Sequence, residues 1–426
     1  MDRNEDPFAL GGPLAGGATG TGGGLEGRLL SALLSACGHP PVEFVLWNGV
    51  RQCGDPGRPP VARVRVHTRG ALLRMVADAE RFTGDDYAAG RVDVDGDMVA
   101  GLEHLLRGLR DSARGSLKDA LLRRLDRPRA NSLGGSRRNI RHHYDLGNDF
   151  YGLWLDQAAM QYTCAYYASP AMSLEQAQIA KLDHVARKLR LSPGETVFEA
   201  GCGWGGLARH FAARHGVRVR AFNISAEQVD YAREAVARQG LADRVEVVLD
   251  DYRHMHGRCD AFVSVGMLEH VGLEHYGTLG RVIDRVLAPH GRALIHSIGR
   301  NRPAPMNAWI EKRIFPGAYP PTLAEMMRIL DAGDFSVLDV ENLRLHYAAT
   351  LRHWLERFEA HTDAVRARYG EAFVRTWRLY LAGSTASFLT GTLQLFQVLF
   401  ARGENNTVPM TRAHLYLGPG APEATA

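Results

Sequence analysis

Thr196–Gly206, TVFEAGCGWGG, is the stretch that most narrows what this chain can become. Val197 and Phe198 read as the end of a buried strand, and Glu199–Gly206 as a turn opening a helix at Leu207. Glycine suits such a turn because it accepts positive φ and lets a ligand approach bare backbone. The first N–H groups of the helix behind it lack intrahelical partners and point into the crevice. In an open α/β sheet, this position after the first strand is where nucleotide-type cofactors bind. GCGWGG is spaced G-x-G-x-G-G, so it misses the G-x-G-x-x-G dinucleotide fingerprint. Taken alone, it is equally a tight strand–helix turn.

The surrounding rhythm predicts the sheet. Ser173–Gln176 is a capping box ahead of Ile179, Leu182, Val185 and Leu189, which share a helix face, and Pro193-Gly194 ends that helix. Strands are expected over 196–200, 218–223, 245–249, 261–265 and 292–298. Ser225–Gln228 caps an intervening helix that Gly240 terminates. Such alternation predicts an α/β fold with a doubly wound parallel sheet. Pro303, Pro305, Pro316, Pro320 and Pro321 interrupt residues 300–360, which are expected to form a lid beside the strand ends. Two closing strands are expected over 335–342 and 392–402.

A chain of 426 residues is long enough for two or three domains. Residues 1–24 are Gly-rich and are expected to be a disordered tail. Residues 25–109 read as a smaller α+β domain, with Leu29, Leu30, Leu33 and Leu34 at helical spacing, strands over 42–50 and 61–68, and a helix over 72–82. Residues 110–139 read as a basic helix and linker. Between Arg107 and Arg141, eleven Lys/Arg stand against three Asp, an excess suited to an anionic surface or to a solvated inter-domain helix. A net charge of +4 does not call for nucleic acid, and no interleaving of basic and stacking aromatic residues points to it. The five cysteines (37, 53, 164, 202 and 259) form no C-x-x-C pair, so neither a zinc site nor a disulfide framework is expected. No signal-like segment or membrane-length apolar run occurs, and a cytoplasmic protein is expected.

Four further segments surround the glycine turn: His143-Tyr-Asp-Leu-Gly-Asn-Asp-Phe150, Gln161-Tyr-Thr-Cys-Ala-Tyr166, Val265-Gly-Met-Leu-Glu-His-Val-Gly272 and Leu294-Ile-His-Ser-Ile-Gly299. Leu393-Gln-Leu-Phe-Gln-Val398 follows them. In this order and spacing, from about residue 140 to 403, the chain resembles the cyclopropane fatty acid synthases, including the mycolic acid cyclopropane synthases. The E-x-G-x-G form of the turn resembles S-adenosylmethionine (SAM)-dependent methyltransferases. Phe82–Gly90 and Val92–Asp97 loosely resemble the N-terminal domain of the phospholipid-acting members. The resemblance implies a Rossmann-like SAM-dependent methyltransferase sheet with a helical lid over 140–403, a lipid-associated domain over 25–109 and a C-terminal tail over 404–426. It also implies the activity: a methylene group passes from SAM to the cis double bond of an unsaturated phospholipid acyl chain, forming a cyclopropane ring. A homodimer at the inner face of the membrane, using no metal, goes with that reading.

An isolated alkene is a weak nucleophile, so catalysis must come from placing it against the activated methyl and excluding water. Methyl transfer leaves a carbocation on the acyl chain, which aromatic faces can stabilise. Tyr144, Phe150, Tyr151, Trp154, Tyr162, Tyr166 and Tyr167 are dense enough to line such a pocket, or to form plain core. Ring closure needs a base. The resemblance implies bound bicarbonate in that role, held by Cys164, Glu269, His296 and Tyr347 with the backbone of Ile298. Topology independently brings Glu269, after the fourth strand, and His296, near the end of the fifth, to the crevice of the glycine turn. Histidine can donate while ionised glutamate only accepts, so the pair suits a ligand with both an OH and an O⁻. Without the resemblance, Glu269-His270 reads as a helix cap, His296 as a core histidine and Cys164 as a small buried hydrophobe.

For the cofactor, Glu199, Gly201, Gly203 and Gly205 come from the turn, and Asn223 and Gln228 from the second strand end and the helix after it. Tyr162, Thr163, Asp251 and Tyr252 match further cofactor-contacting positions of the family. The second strand ends without the acidic residue that many SAM enzymes use for the ribose, as does the resembling family. Ala382–Thr385 departs from members with a cysteine there, and Phe82–Gly90 departs from the usual phospholipid-synthase segment. The rival readings are a methyl-branched or methylene product, methylation of RNA or another small molecule, and an inactive lipid-binding protein.

Overall fold

The computed structural model describes residues 24–113 and 146–416. The rest of the Gly-rich tail, most of the basic stretch with His143 and Tyr144, and residues 417–426 lie outside the described residues. Contacts divide the chain into two units. One combines Met1–Arg127, Ala304–Pro316 and Leu351–Thr392; the other combines Pro128–Pro303, Gly317–Thr350 and Leu393–Ala426.

The first unit begins with α1 (Leu25–Ala36), β1 (Val42–Leu46), β2 (Arg51–Cys53), β3 (Ala62–Val66), α2 (Arg69–Ala88), β4 (Val92–Gly96) and α3 (Met98–Ala113). Its sheet runs β2-β1-β3-β4, with only the β1–β3 pair parallel. The strand expected over 42–50 therefore stops at Leu46 and turns back into β2. The helix expected over 72–82 starts earlier, where the Thr68 hydroxyl accepts from the Ala71 N–H at 3.2 Å, and Asp78 breaks its geometry midway with φ −162°. Leu30, Leu34, Val42, Phe44, Val64 and Leu72 form the core.

Residues 304–316 and 351–392, expected within the catalytic domain, cluster with this N-terminal unit instead. The cause is side-chain chemistry distant in sequence. The Trp309 indole lies where a Cβ on Gly84 would be, Asp85 pairs with Lys312 and Arg313 at 2.9 and 2.8 Å, and Arg375 donates to the carbonyls of Tyr87 and Val92.

The second unit is built on seven strands: β5 (Thr196–Ala200), β6 (Arg218–Asn223), β7 (Val245–Leu249), β8 (Cys259–Val265), β9 (Leu287–Gly299), β10 (Phe335–Asn342) and β11 (Gln394–Arg402). They lie in the order β10-β11-β9-β8-β5-β6-β7, and β11 runs antiparallel to both neighbours. The helices α4 (Leu174–Lys188), α5 (Gly206–His215), α6 (Ala226–Arg238) and α7 (Tyr276–Val286) follow the expected rhythm. One more, α8 (Arg344–Ala360), enters from β10. Both expected N-caps form: Ser173 and Gln176 exchange bonds as a capping box, and Ser225 accepts from the Gln228 N–H.

Leu182, Val185, Leu207, Phe211 and Val229 cover one face of the sheet, and Leu279 and Ile283 pack with Phe198, Phe262 and Ile295 on the other. Burying each such side chain stabilises by about 1.5–3 kcal/mol. After β5 the chain builds outward through β6 and β7, then crosses back to add β8 on the other side. That reversal leaves a crevice beyond the carboxyl ends of β5 and β8.

Candidate active site

The crevice is a cleft with two lobes that share Gly201, Asn223, Met267 and His270. The first encloses about 700 Å³, opens to solvent, and is also lined by Tyr162, Thr163, Glu199, Gly203, Trp204 and Gln228. The second encloses about 490 Å³ and is also lined by Asp250, Asp251, Tyr252 and Arg253. Nine of the ten expected cofactor residues therefore line one lobe or the other. Gly205 lines neither; a Cβ there would come within 2.9 Å of the Ala232 Cβ, so its role is helix packing.

The strand runs through Ala200, and the turn proper is Gly201–Gly205. Gly203 has φ +53° and nothing within 4 Å of where a Cβ would stand, which leaves its backbone bare to the cleft. Asn223 holds the turn: its amide donates to the Gly203 carbonyl at 3.2 Å and to Gln228 Oε1 at 2.9 Å, while its oxygen accepts from the Ser225 N–H. Gly205 precedes α5 and has no side chain to cap it. The Glu199 carboxylate does so instead, accepting from the Ala208 N–H, and Glu199 Oε2 is buried with no hydrogen-bond partner among the described residues. Burial pushes this carboxyl up to about 8. A bare turn backbone beside an unpartnered carboxylate oxygen fits a cationic nucleotide-type cofactor such as SAM.

Glu269 stands on a single 3-10 turn after β8. Its Oε1 accepts from the backbone N–H of Ile298 at 2.5 Å, and its Oε2 is buried without a partner. Burial pushes the carboxyl up to about 7. Ile298 is thus the residue that ties Glu269 to β9, and its carbonyl accepts from the Ser297 hydroxyl.

His296 sits opposite Val265 in the β8–β9 ladder. Its Nδ1 is 3.0 Å from the Gln397 amide, and its Nε2 is buried without a partner. Burial holds the imidazole well below its ordinary value, so the ring is neutral. With the Gln397 amide donating to Nδ1, the ring proton sits on Nε2.

Cys164 Sγ lies 3.8 Å from the Leu343 carbonyl, which also accepts the backbone N–H of Tyr347 at 3.1 Å as the first helical bond of α8. Thr350 accepts from the Ala165 N–H and His346 Nδ1 from the Tyr167 N–H, pinning this segment to the start of α8. Burial pushes the Cys164 thiol far up, so it stays protonated and is no nucleophile.

The aromatic residues divide between the two roles, lining and core, that the sequence left open. Phe150, Tyr151 and Trp154 are fully buried and packed ring to ring with Tyr162 and Trp204. Of that group, Tyr162 and Trp204 line the cleft and the other three are core. Tyr166 is stacked between the rings of His184 and His346, at 4.3 and 4.9 Å.

Several lining or supporting residues escaped the sequence reading. His270 faces both lobes, and burial lowers it to about 4, so it is neutral. Gln178 and Lys181 on α4 are wholly buried, although polar residues at that spacing read as a solvent face. Among the described residues, Asp183, His210 and His215 form a group able to hold a metal ion, but none of them lines the cleft, and Asp183 already bonds His210 at 2.7 Å.

A cofactor turn at the reversal of a parallel sheet with one inverted strand, facing a bare cleft, defines a SAM-dependent methyltransferase. Residues 132–398 match mycolic acid cyclopropane synthetase, and the chain belongs to that family. It is 34% identical over 394 residues to a probable fatty acid methyltransferase of Pseudomonas putida, covering 89% of this chain and 97% of that one. It is 36% identical over 355 residues to the cyclopropane-fatty-acyl-phospholipid synthase of Escherichia coli K12, covering 82% and 91%. The crystal structure of the mycolic acid cyclopropane synthase CmaA1 complexed with SAH and CTAB superposes with a TM-score of 0.59 at 30% identity, covering 62% of this chain and 97% of that one.

Proposed function

We propose that this enzyme methylates the cis double bond of an unsaturated phospholipid acyl chain and closes a cyclopropane ring. The observation that carries this reading is a pair of buried, unpartnered polar atoms, Glu269 Oε2 and His296 Nε2, on the neighbouring ends of β8 and β9. The identity to the Escherichia coli phospholipid synthase supports the substrate class.

SAM supplies an activated methyl when bound. Gly201, Gly203, Glu199, Asn223, Gln228, Tyr162 and Thr163 would hold it in the first lobe, with Asp251 and Tyr252 in the second. The chain's own residues then set the conditions. Tyr162 and Trp204 give the first lobe an aromatic side against which the reacting groups would be placed. Neutral His296 offers an N–H, and Glu269, held in place by Ile298, offers an acceptor oxygen. Such a donor–acceptor pair suits a small base carrying both OH and O⁻, and bicarbonate fits it. By the family resemblance, Cys164 and Tyr347 would complete that pocket.

No helix of the described residues is long and apolar enough to cross a membrane. We assign bilayer contact to the basic Arg107–Arg141 stretch and the N-terminal domain, at the inner face of the membrane, in a homodimer. A second reading, a methyl-branched or methylene product, is favoured by the Pseudomonas putida relative. Incubating the protein with SAM and mixed unsaturated phospholipids, followed by mass spectrometry and NMR of the fatty acids, separates ring, branch, methylene and no product.

A further inference from the structure

Lys181 lies in the middle of α4 with its side chain wholly buried, and nothing in the reaction derived above uses it. Its ammonium donates to Gln161 Oε1 at 2.5 Å and to Thr163 Oγ1 at 2.9 Å. One turn earlier, Gln178 reaches the same segment, donating to the carbonyls of Gln161 and Thr163 at 3.4 and 2.8 Å. Gln161, Tyr162 and Thr163 line the first lobe, as do Glu199 and the glycine turn.

We propose that Lys181 is the positioning residue of the cofactor cleft: from inside the protein it clamps the Gln161–Thr163 segment that lines the cleft beside Glu199. The inference rests on the reading that this cleft takes SAM.

A buried ammonium is expensive unless it is hydrogen-bonded and faces an opposite charge. Lys181 has both. The groups facing it are Asp156, Cys164 and Glu199, and its charge also reaches His296. Asp156 is itself occupied by the N–H groups of Ala159 and Gln161, at 2.7 Å each. Glu199 is different: it keeps one oxygen unpartnered and open to a ligand. Lys181 favours the ionised form of that carboxyl, and Cys202 is the other titratable neighbour of Glu199. An ionised Glu199 is what a cationic cofactor requires. Lys181 therefore fixes the shape of the lining segment and favours the charge on Glu199 that a cationic cofactor needs.

The test is SAM binding by calorimetry between pH 6 and 9, on the full chain and on Lys181→Met, Lys181→Gln and Lys181→Arg. In the wild type, affinity should rise with pH as Glu199 ionises and level off near about 8, where Lys181 itself loses its proton. Removing the neighbouring cation pushes Glu199 higher still, so K181M and K181Q should bind on the order of tenfold more weakly at neutral pH. Their rise in affinity should move to higher pH. K181R should restore most of both. A folded K181M with wild-type affinity and an unshifted pH profile overturns the proposal. So does loss of fold in both K181M and K181Q while K181R is folded and binds normally, because Lys181 would then serve stability alone. A wild type that does not bind SAM sinks the reading of the cleft instead.

Discussion

Glu269 Oε1 receives the backbone N–H of Ile298 at 2.5 Å, across 29 residues, and so joins the turn after β8 to the last residues of β9. One carboxylate oxygen is anchored and the other left free. Glu269→Gln keeps the anchoring acceptor and removes the charge. Product formation should fall at least about 100-fold, while affinity for S-adenosylhomocysteine stays within about twofold. Loss of that affinity in a folded Glu269→Gln protein would count against the assignment.

The same residue gives stability a pH dependence. Burial raises Glu269 from its usual 4.5 to about 7, so the folded state holds the proton more tightly than the unfolded chain. Stability from this group is full below about 4.5 and declines as pH rises towards 7, by about 3 kcal/mol in all. Glu199, raised to about 8, adds a slope of the same sign. Thermal melts at pH 5.5 and 8 should therefore show Glu269→Gln losing part of this decline, and being at least as stable as the wild type at the higher pH. An unchanged slope would show that Glu269 is ionised without cost.

His296 and Gln397 form the second test. His296→Ala should reduce turnover by about 10²–10³ if its Nε2–H holds the base. Gln397→Leu leaves Nδ1 without its donor and frees the ring proton to move to that atom. A roughly tenfold loss of kcat with little change in KM for SAM is expected. Equal activity in Gln397→Leu would disprove the tautomer assignment.

Two glycines of the turn should fail differently. At Gly206 a Cβ would stand 2.0 Å from the Ala159 carbonyl oxygen, so Gly206→Ala should lower the melting temperature. At Gly203 the space is open and φ is +53°, so Gly203→Ala should cost only about 1–2 kcal/mol of stability but obstruct the cofactor. Calorimetry with S-adenosylhomocysteine beside thermal melts distinguishes the two.

The basic stretch makes a prediction about membranes. Eleven Lys/Arg against three Asp between Arg107 and Arg141 should produce liposome binding that grows with anionic lipid content and weakens with added salt. Binding insensitive to salt removes this stretch from the interface.

Much of the second unit was legible because its information is local. Capping residues, alternating strands and helices and the glycine turn act over a few residues each, and β5, β6, β7 and β10 fall where periodicity put them. Sheet topology sets His296 opposite Val265 with Glu269 on the turn that follows, although neither lines the two lobes beside the glycine turn. What escaped notice depends on partners far away in sequence. Lys181 looks like a solvated lysine until Gln161 and Thr163 come to meet it. Phe150, Tyr151 and Trp154 could as well have lined a cavity as filled one, and composition cannot distinguish those outcomes. The attachment of residues 304–316 and 351–392 to the N-terminal unit depends on contacts such as Trp309 with Gly84, which no local pattern announces.

The reversed strand β11 has a consequence for biogenesis. It is the last strand among the described residues, yet it slots between β9 and β10 and supplies Gln397 to His296 across 101 residues. A nascent polypeptide halted before Leu393 would leave β9 as an open border, with its histidine lacking that neighbour. Chemical competence thus waits on β11, so products terminated before that strand should be inert and should expose a sticky sheet margin to quality control.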